Sequence, residues 1–372
     1  MCLVLTDNMN MVQSERNNLL MSEERTIENT ESEHYDPDQN EKPTLAGYKA
    51  VCAKLGLSMI AFFAFRIILI FTLPRLRGLS DIVSESIYYL IFYIFLILMG
   101  YVIPLLTTMV IFKSFREYKG KYRELYKRPK RLARAMGAFP ASFGLGHGVV
   151  LLTMLVTFLI FRNFDGHSYI EELFRPTAME PSTNLVSIIA TIFMLVIIAP
   201  VFEEFWCRGI MYDALKPYGT GIAIIISSLL FGLMHGNLFM LFYTTAYGFA
   251  LGYVRYATGS LFVVTIFHAI VNAIAAGALT IITLASIYPD SRLLNTIYYI
   301  YAIAFLVLII VGIVVFITKI PKMRKYKIEN AWPEKNPWKK VALFFVSIPV
   351  ILMLVLSFNE LSGFWLLGIL IR

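Results

Sequence analysis

The sequence has few charged residues and few cysteines, and both shortages limit what the chain can be. Only 16% of its 372 residues are charged, whereas 58% are hydrophobic. This is more apolar surface than a soluble domain of this length buries, which excludes an ordinary soluble protein. The three cysteines, Cys2, Cys52 and Cys207, offer neither a disulfide framework nor a paired metal-ligand spacing. The composition therefore predicts an all-α, polytopic integral membrane protein.

Several familiar motifs are also missing. The sequence contains no HExxH, HxxEH or CxxC spacing, so local evidence for a zinc site is weak. No serine or cysteine has an evident neighbouring base, which argues against an acyl-enzyme mechanism. No repeated halves with paired broken helices are visible, which argues against a transporter. The N-terminus lacks the basic and apolar regions of a cleavable signal peptide.

Nine apolar segments approach the length of about 20 residues that a membrane-spanning helix needs. They are residues 55–73, 87–112, 138–161, 185–202, 221–234, 238–253, 261–287, 294–317 and 341–358. We therefore expect a helical membrane bundle with about eight or nine transmembrane helices.

The charged residues that remain are concentrated outside these segments. Residues 1–45 carry ten acidic and three basic side chains, which predicts a solvated, disordered tail. Residues 113–134 carry ten basic and two acidic side chains, and residues 319–340 carry eight and two. The positive-inside rule places both basic loops and the N-terminus in the cytoplasm. The net charge of +8 therefore reflects topology and contact with anionic lipid, and we expect no nucleic-acid partner.

These features divide the chain into four predicted segments. A cytoplasmic tail is followed by N-terminal transmembrane helices with a basic loop, a transmembrane core that contains charged residues, and C-terminal transmembrane helices with a second basic loop. Their predicted bounds are residues 1–45, 46–183, 184–288 and 289–372.

The third segment contains an unusual group of charges, Glu203, Glu204 and Arg208, directly after an apolar run. Ionisable side chains at membrane depth are costly and normally mark a functional site. Residues four apart share one helix face, so Glu204 and Arg208 can form an ion pair. Glu203 is rotated by about 100° from Glu204 and faces a different neighbour. The spacing therefore predicts one structural and one chemically active carboxylate.

Two later apolar segments carry His235, and His268 with Asn272 one turn further on. A carboxylate and an imidazole can activate a water, while a second imidazole and an amide can stabilise an oxyanion. Alternatively, Glu203, His235 and His268 could be ligands of a zinc ion with an open position. A third interpretation is that these polar residues only join helices by hydrogen bonds, as in a membrane scaffold, an immunity protein or a transporter.

The segments EEFWCR, FGLMH and HAIVN resemble, in order and spacing, the EExxxR, FxxxH and HxxxN/B signature of the CAAX-protease and bacteriocin-processing family of intramembrane endopeptidases. This family includes the type II CAAX prenyl proteases. The resemblance covers about residues 185–284. It implies that Glu203 and His235 activate the attacking water and that His268 and Asn272 stabilise the oxyanion. It assigns structural support to the remaining motif positions, Glu204, Arg208 and Phe231.

The resemblance also implies a function. We expect an endopeptidase that cleaves a membrane-associated peptide or a lipidated tail in a bacterial cytoplasmic membrane, in peptide maturation or in self-immunity to a bacteriocin. Membrane lipid is the other expected partner, and no partner protein is identifiable. Family members have been described both as metalloproteases and as metal-free glutamate-type proteases. We favour the metal-free mechanism and keep zinc as the alternative cofactor.

Overall fold

The described residues are almost all helical, and the computed structural model shows no strand in the parts it describes, residues 44–113, 129, 132–161, 184–236, 238–325 and 337–361. The ten helices of these parts are α1 (Leu45–Leu76), α2 (Glu85–Ile111), α3 (Leu132–Phe161), α4 (Leu185–Tyr218), α5 (Thr220–Leu233), α6 (Leu238–Thr258), α7 (Leu261–Ile287), α8 (Arg292–Lys325), α9 (Trp338–Phe345) and α10 (Ile348–Leu361). The all-α prediction is confirmed for this part of the chain.

The predicted number of spanning helices is confirmed only in part. Five of the described helices, α1, α2, α4, α7 and α8, are long and apolar enough to cross a membrane. The last predicted span is broken, because α9 and α10 meet at an angle of 69°, and counting this pair as one span gives six. Helix α5 has 14 residues and is only about 21 Å long, which is less than the hydrocarbon thickness of a bilayer. A total of eight or nine spans remains a prediction.

The acidic tail and the first basic loop lie largely outside the described residues, and the second basic loop lies half outside them. The compact unit that contains the helices begins at Ala46. Of residues 1–45, only Thr44 and Leu45 are described. The four-segment division and the topology therefore stay predictions.

Helix α4 deviates from regular α-helical geometry on both sides of its two glutamates. At the start of α4, the side chain of Asn184 accepts hydrogen bonds from the backbone N–H groups of Val186 and Ser187 and so caps the helix. Two π-helical turns, Met194–Ile198 and Phe205–Met211, enclose the regular segment Ala199–Glu204. Such turns widen the helix locally and are frequent at functional sites.

The apolar interior consists of two clusters. The first joins α1, α4 and α5 with the end of α2 and with α9 and α10, and it includes Phe63, Ile210 and Phe231. The second joins α3, α6, α7 and α8, and it includes Phe143 and Phe267. The motif-bearing helices belong to both: α4 and α5 pack in the first cluster and α7 in the second. The residues of the three motifs therefore meet where the two clusters adjoin.

Close helix contacts hold the second cluster together. A Cβ atom on Gly144 of α3 would lie 2.0 Å from the backbone carbon of Gly312 of α8, so both positions require glycine. Small residues of this kind allow membrane helices to approach backbone to backbone. Outside these contacts, large apolar side chains are exposed along α2, α7 and α8, as expected for surfaces that face lipid.

Candidate active site

The ion pair between Glu204 and Arg208 forms as the spacing predicts. Arg208 Nη1 donates to Glu204 Oε1 at 3.1 Å, and both side chains are fully buried. Arg208 Nη2 donates to the carbonyl oxygen of Gly248 at 3.1 Å, and the guanidinium carbon lies 4.2 Å from the centre of the Phe231 ring. The guanidinium therefore ties α4 to α5 and α6.

Gly248 packs tightly against the guanidinium, with little space for a side chain. A Cβ atom at this position would lie 3.1 Å from Arg208 Nη2 and 3.1 Å from the Cβ atom of Ser228. Contacts this short would force the ion pair or helix α5 to move. The close packing of α5 against α6 is thus part of the charge arrangement.

His268 of α7 lies between the two glutamates. Its Nδ1 donates to Glu204 Oε1 at 2.7 Å, because an ionised carboxylate only accepts. Its Nε2 lies 3.9 Å from Glu203 Oε2. Glu204 therefore holds the imidazole as well as the guanidinium. Sequence reasoning missed this contact, since the two residues are 64 positions apart and no spacing rule connects them.

Among the described residues, the ion pair of Arg208 is with Glu204 and not with Glu203, as the spacing of the two glutamates predicts. The Glu203 side chain is 12% exposed, and among the described residues its Oε2 has no hydrogen-bond partner. The hydroxyl of Tyr101 on α2 lies close to this side chain and is placed to donate to it. Tyr101 lies outside all three motifs, and no sequence signal pointed to it. In the same set of residues Glu204 Oε2 also lacks a partner, but Glu204 Oε1 accepts from two donors.

His235 lies in the turn directly after α5. Its Nδ1 donates to the carbonyl oxygen of Phe231 at 2.8 Å, which leaves the lone pair of the neutral ring on Nε2. The Phe231 ring lies beside both imidazoles, with its centre 5.0 Å from that of His235 and 5.6 Å from that of His268. Arg66 of α1 donates to the carbonyl oxygen of Met234 at 2.5 Å and fixes this turn.

Asn272 of α7 contacts the backbone of α4. Its Nδ2 donates to the carbonyl oxygen of Leu195 at 2.8 Å, inside the first π-helical turn. An amide nitrogen carries two hydrogens, so one N–H is used in this bond and the other remains for a ligand. The sequence predicts that Asn272 shares a helix face with His268, but it does not reveal this acceptor.

The three residues that could bind zinc do not form a metal site in the described part of the structure. Over those residues, no group of three or more histidine, cysteine, aspartate or glutamate side chains is arranged to hold a metal ion.

All the motif residues lie in one stretch that matches a known family. Residues 185–274 match the family model described as Type II CAAX prenyl endopeptidase Rce1-like, and this stretch contains every residue from Glu203 to Asn272. A search of curated proteins finds no match, and a search of solved structures finds none. The three motifs lie within this match, and over residues 185–274, about a quarter of the chain, the sequence is similar to the type II, Rce1-like CAAX prenyl endopeptidases.

Proposed function

We propose that the protein is an intramembrane endopeptidase that hydrolyses a peptide bond by direct attack of an activated water. The observation that carries this proposal is the position of Glu203. Its Oε2 lies 3.9 Å from His268 Nε2, where helices bearing three separate motifs meet. A polar separation of this size is suited to a bridging water or substrate oxygen.

Glu203 and His235 are the proposed water-activating groups. Glu203 takes a proton from the water while the water oxygen attacks the peptide carbonyl carbon. His235 accepts a hydrogen bond through Nε2, because its Nδ1 is already committed to the Phe231 carbonyl. The proton then passes to the leaving nitrogen as the C–N bond breaks, which gives a carboxylate and an amine.

His268 and Asn272 are the proposed donors to the oxyanion of the tetrahedral intermediate. Asn272 would donate through the N–H that does not bind Leu195. His268 donates through Nε2 only when both ring nitrogens carry protons, since Nδ1 already donates to Glu204. Donors fixed before the reaction stabilise developing charge without reorganisation. In this scheme Glu204 and Arg208 position His268.

We propose a membrane-associated peptide or a lipidated tail as the substrate, because a site among apolar helices encounters molecules that partition into the bilayer. A bacterial cytoplasmic membrane and a cytoplasmic N-terminus belong to this proposal, as do peptide maturation and self-immunity to a bacteriocin. The chain's own side chains activate the water in this scheme. We therefore expect cleavage to continue after metal ions are removed.

His235→Ala with His147→Ala as its control tests the role of His235. Each of these histidines donates Nδ1 to the carbonyl of a phenylalanine four residues earlier, at 2.8 Å and 2.9 Å. His147 instead packs against Phe143, Tyr243 and Phe305. Purified variants would be assayed on a quenched peptide library with and without a chelator.

We expect His235→Ala to lose cleavage by about 10²–10⁴-fold and His147→Ala to keep it. Equal cleavage by wild type and His235→Ala would contradict the mechanism. Loss on chelation that zinc restores would overturn the metal-free scheme. If none of the folded proteins, wild type included, cleaves the library, the result would instead support a non-catalytic membrane protein.

A further inference from the structure

The bond between Asn272 and Leu195 exists because a proline interrupts the backbone hydrogen bonds of α4. In the π-helical turn Met194–Ile198, the N–H of Ala199 donates to the carbonyl of Met194, five residues earlier. In this register the next bond would run from residue 200 to Leu195. Residue 200 is proline, which has no N–H to donate.

The carbonyl of Leu195 therefore needs a donor from elsewhere. Backbone carbonyls inside a membrane protein are costly to leave unpaired. Asn272 supplies the donor from α7, 77 positions away, at 2.8 Å. Because a carbonyl oxygen only accepts, this contact also fixes which end of the Asn272 amide is the nitrogen.

The second π-helical turn of α4 shows the same kind of contact. Within Phe205–Met211, the carbonyl of Arg208 accepts from Arg255 Nε of α6 at 3.2 Å. Both turns thus present a carbonyl to a side chain of a later helix, one on each side of Glu203 and Glu204. Only the first turn is followed by a proline, and only its partner is a predicted active-site residue.

We infer that Pro200 is a positioning residue for the active site: by withholding a backbone N–H from Leu195, it makes that carbonyl the anchor that orients Asn272. The Asn272 side chain is then held by one N–H and presents the other. This inference rests on the proposed function for its catalytic consequence, but its structural part can be measured without any substrate.

Pro104 provides a matched control in α2. There the π-helical turn Leu98–Val102 precedes Pro104 just as Met194–Ile198 precedes Pro200, and the N–H of Ile103 donates to the carbonyl of Leu98. Both prolines are buried. Replacing either one by alanine restores an N–H to a comparable helix, but only the change at Pro200 supplies a donor to Leu195.

The test measures thermal unfolding of the full chain for Asn272→Ala in three backgrounds: wild type, Pro200→Ala and Pro104→Ala. We expect Asn272→Ala to lower the unfolding midpoint in wild type and in Pro104→Ala. It should lower the midpoint little or not at all in Pro200→Ala, whose new N–H pairs with Leu195. An equal loss in all three backgrounds would overturn the inference. So would failure of both Pro200→Ala and Pro200→Ser to fold, since an added N–H should be tolerated.

The catalytic consequence is tested on the same proteins. With Pro200→Ala we expect kcat to fall about 10- to 100-fold, because a displaced donor no longer meets the oxyanion. The KM should change little, since the contact acts in the transition state. Wild-type kcat in a variant that passes the thermal test would contradict a positioning role. If wild type cleaves nothing, the proposed function fails, whereas the thermal comparison still decides the role of Pro200.

Discussion

The two neighbouring glutamates of α4 occupy opposite kinds of environment. The side of Glu204 is closed: its Oε1 accepts from Arg208 and His268, and its side chain has no exposure. The side of Glu203 is more open, with 12% exposure, a contact with Tyr101 and an oxygen 3.9 Å from His268 Nε2. Glu204 is held in place by Arg208 and His268, whereas Glu203 is the more accessible carboxylate. A helix thus turns two adjacent glutamates toward different surroundings, although both also approach His268.

Stability should depend most on the buried ion pair of Glu204 with Arg208. Arg208→Met removes the cation and leaves Glu204 as an uncompensated buried charge. We expect a loss of about 3–5 kcal/mol in unfolding free energy, seen as poor yield and a lower midpoint in thermal unfolding.

Arg75→Met, at an exposed position of α1, is the control and should change stability by less than about 0.5 kcal/mol. Equal stability of the two variants would mean that the closed side does not hold the fold.

The tight packing around the Arg208 guanidinium gives a second test. In Gly248→Ala the new Cβ would approach Arg208 Nη2 and Ser228 Cβ at 3.1 Å. We expect a loss of about 1–3 kcal/mol in thermal or chemical unfolding. Gly148→Ala is the matched control, because its nearest atom, on Ile313, would lie at 3.7 Å, an ordinary contact distance. If both alanines are tolerated alike, the packing around the guanidinium is less constrained than its distances indicate.

On the Glu203 side, we expect a smaller effect from a change at Tyr101. Tyr101→Phe removes the hydroxyl that is placed to donate to Glu203. A hydrogen bond to a charged group contributes about 1.5–3 kcal/mol, so we expect at least about a tenfold loss of kcat with the fold intact.

Tyr93→Phe is the control for Tyr101. It lies on the same helix, and its hydroxyl bonds to Thr191 Oγ1 at 2.5 Å. Activity that falls equally in both variants would assign the effect to helix packing between α2 and α4 and not to Glu203.

Local spacing predicts one part of the site and misses another. The pairing of Glu204 with Arg208 follows from a separation of four residues on one helix. The rotation of Glu203 away from that pair follows from the same period. The contact of His268 with Glu204 joins residues 64 positions apart. It depends on how α4 packs against α7, which no local pattern records.

The backbone of α4 explains a second miss. Sequence reasoning treats the segment as a regular helix, whereas Pro200 follows a π-helical turn that exposes the Leu195 carbonyl to Asn272. The hydropathy pattern likewise finds the apolar helices but not their ends or bends. Residues 341–358 appear as one span in the sequence, yet the chain bends there by 69° between α9 and α10.

The most direct test of the account compares Glu203→Gln with Glu204→Gln. Each keeps the size of the side chain and removes one charge. Glu203→Gln should fold with wild-type thermal stability and lose about 10²–10⁴-fold in peptide cleavage. Glu204→Gln should chiefly lose folding yield and thermal stability, because Arg208 then lacks its counter-charge. Wild-type cleavage by Glu203→Gln, or a stable Glu204→Gln protein whose cleavage alone has vanished, would contradict this division of roles.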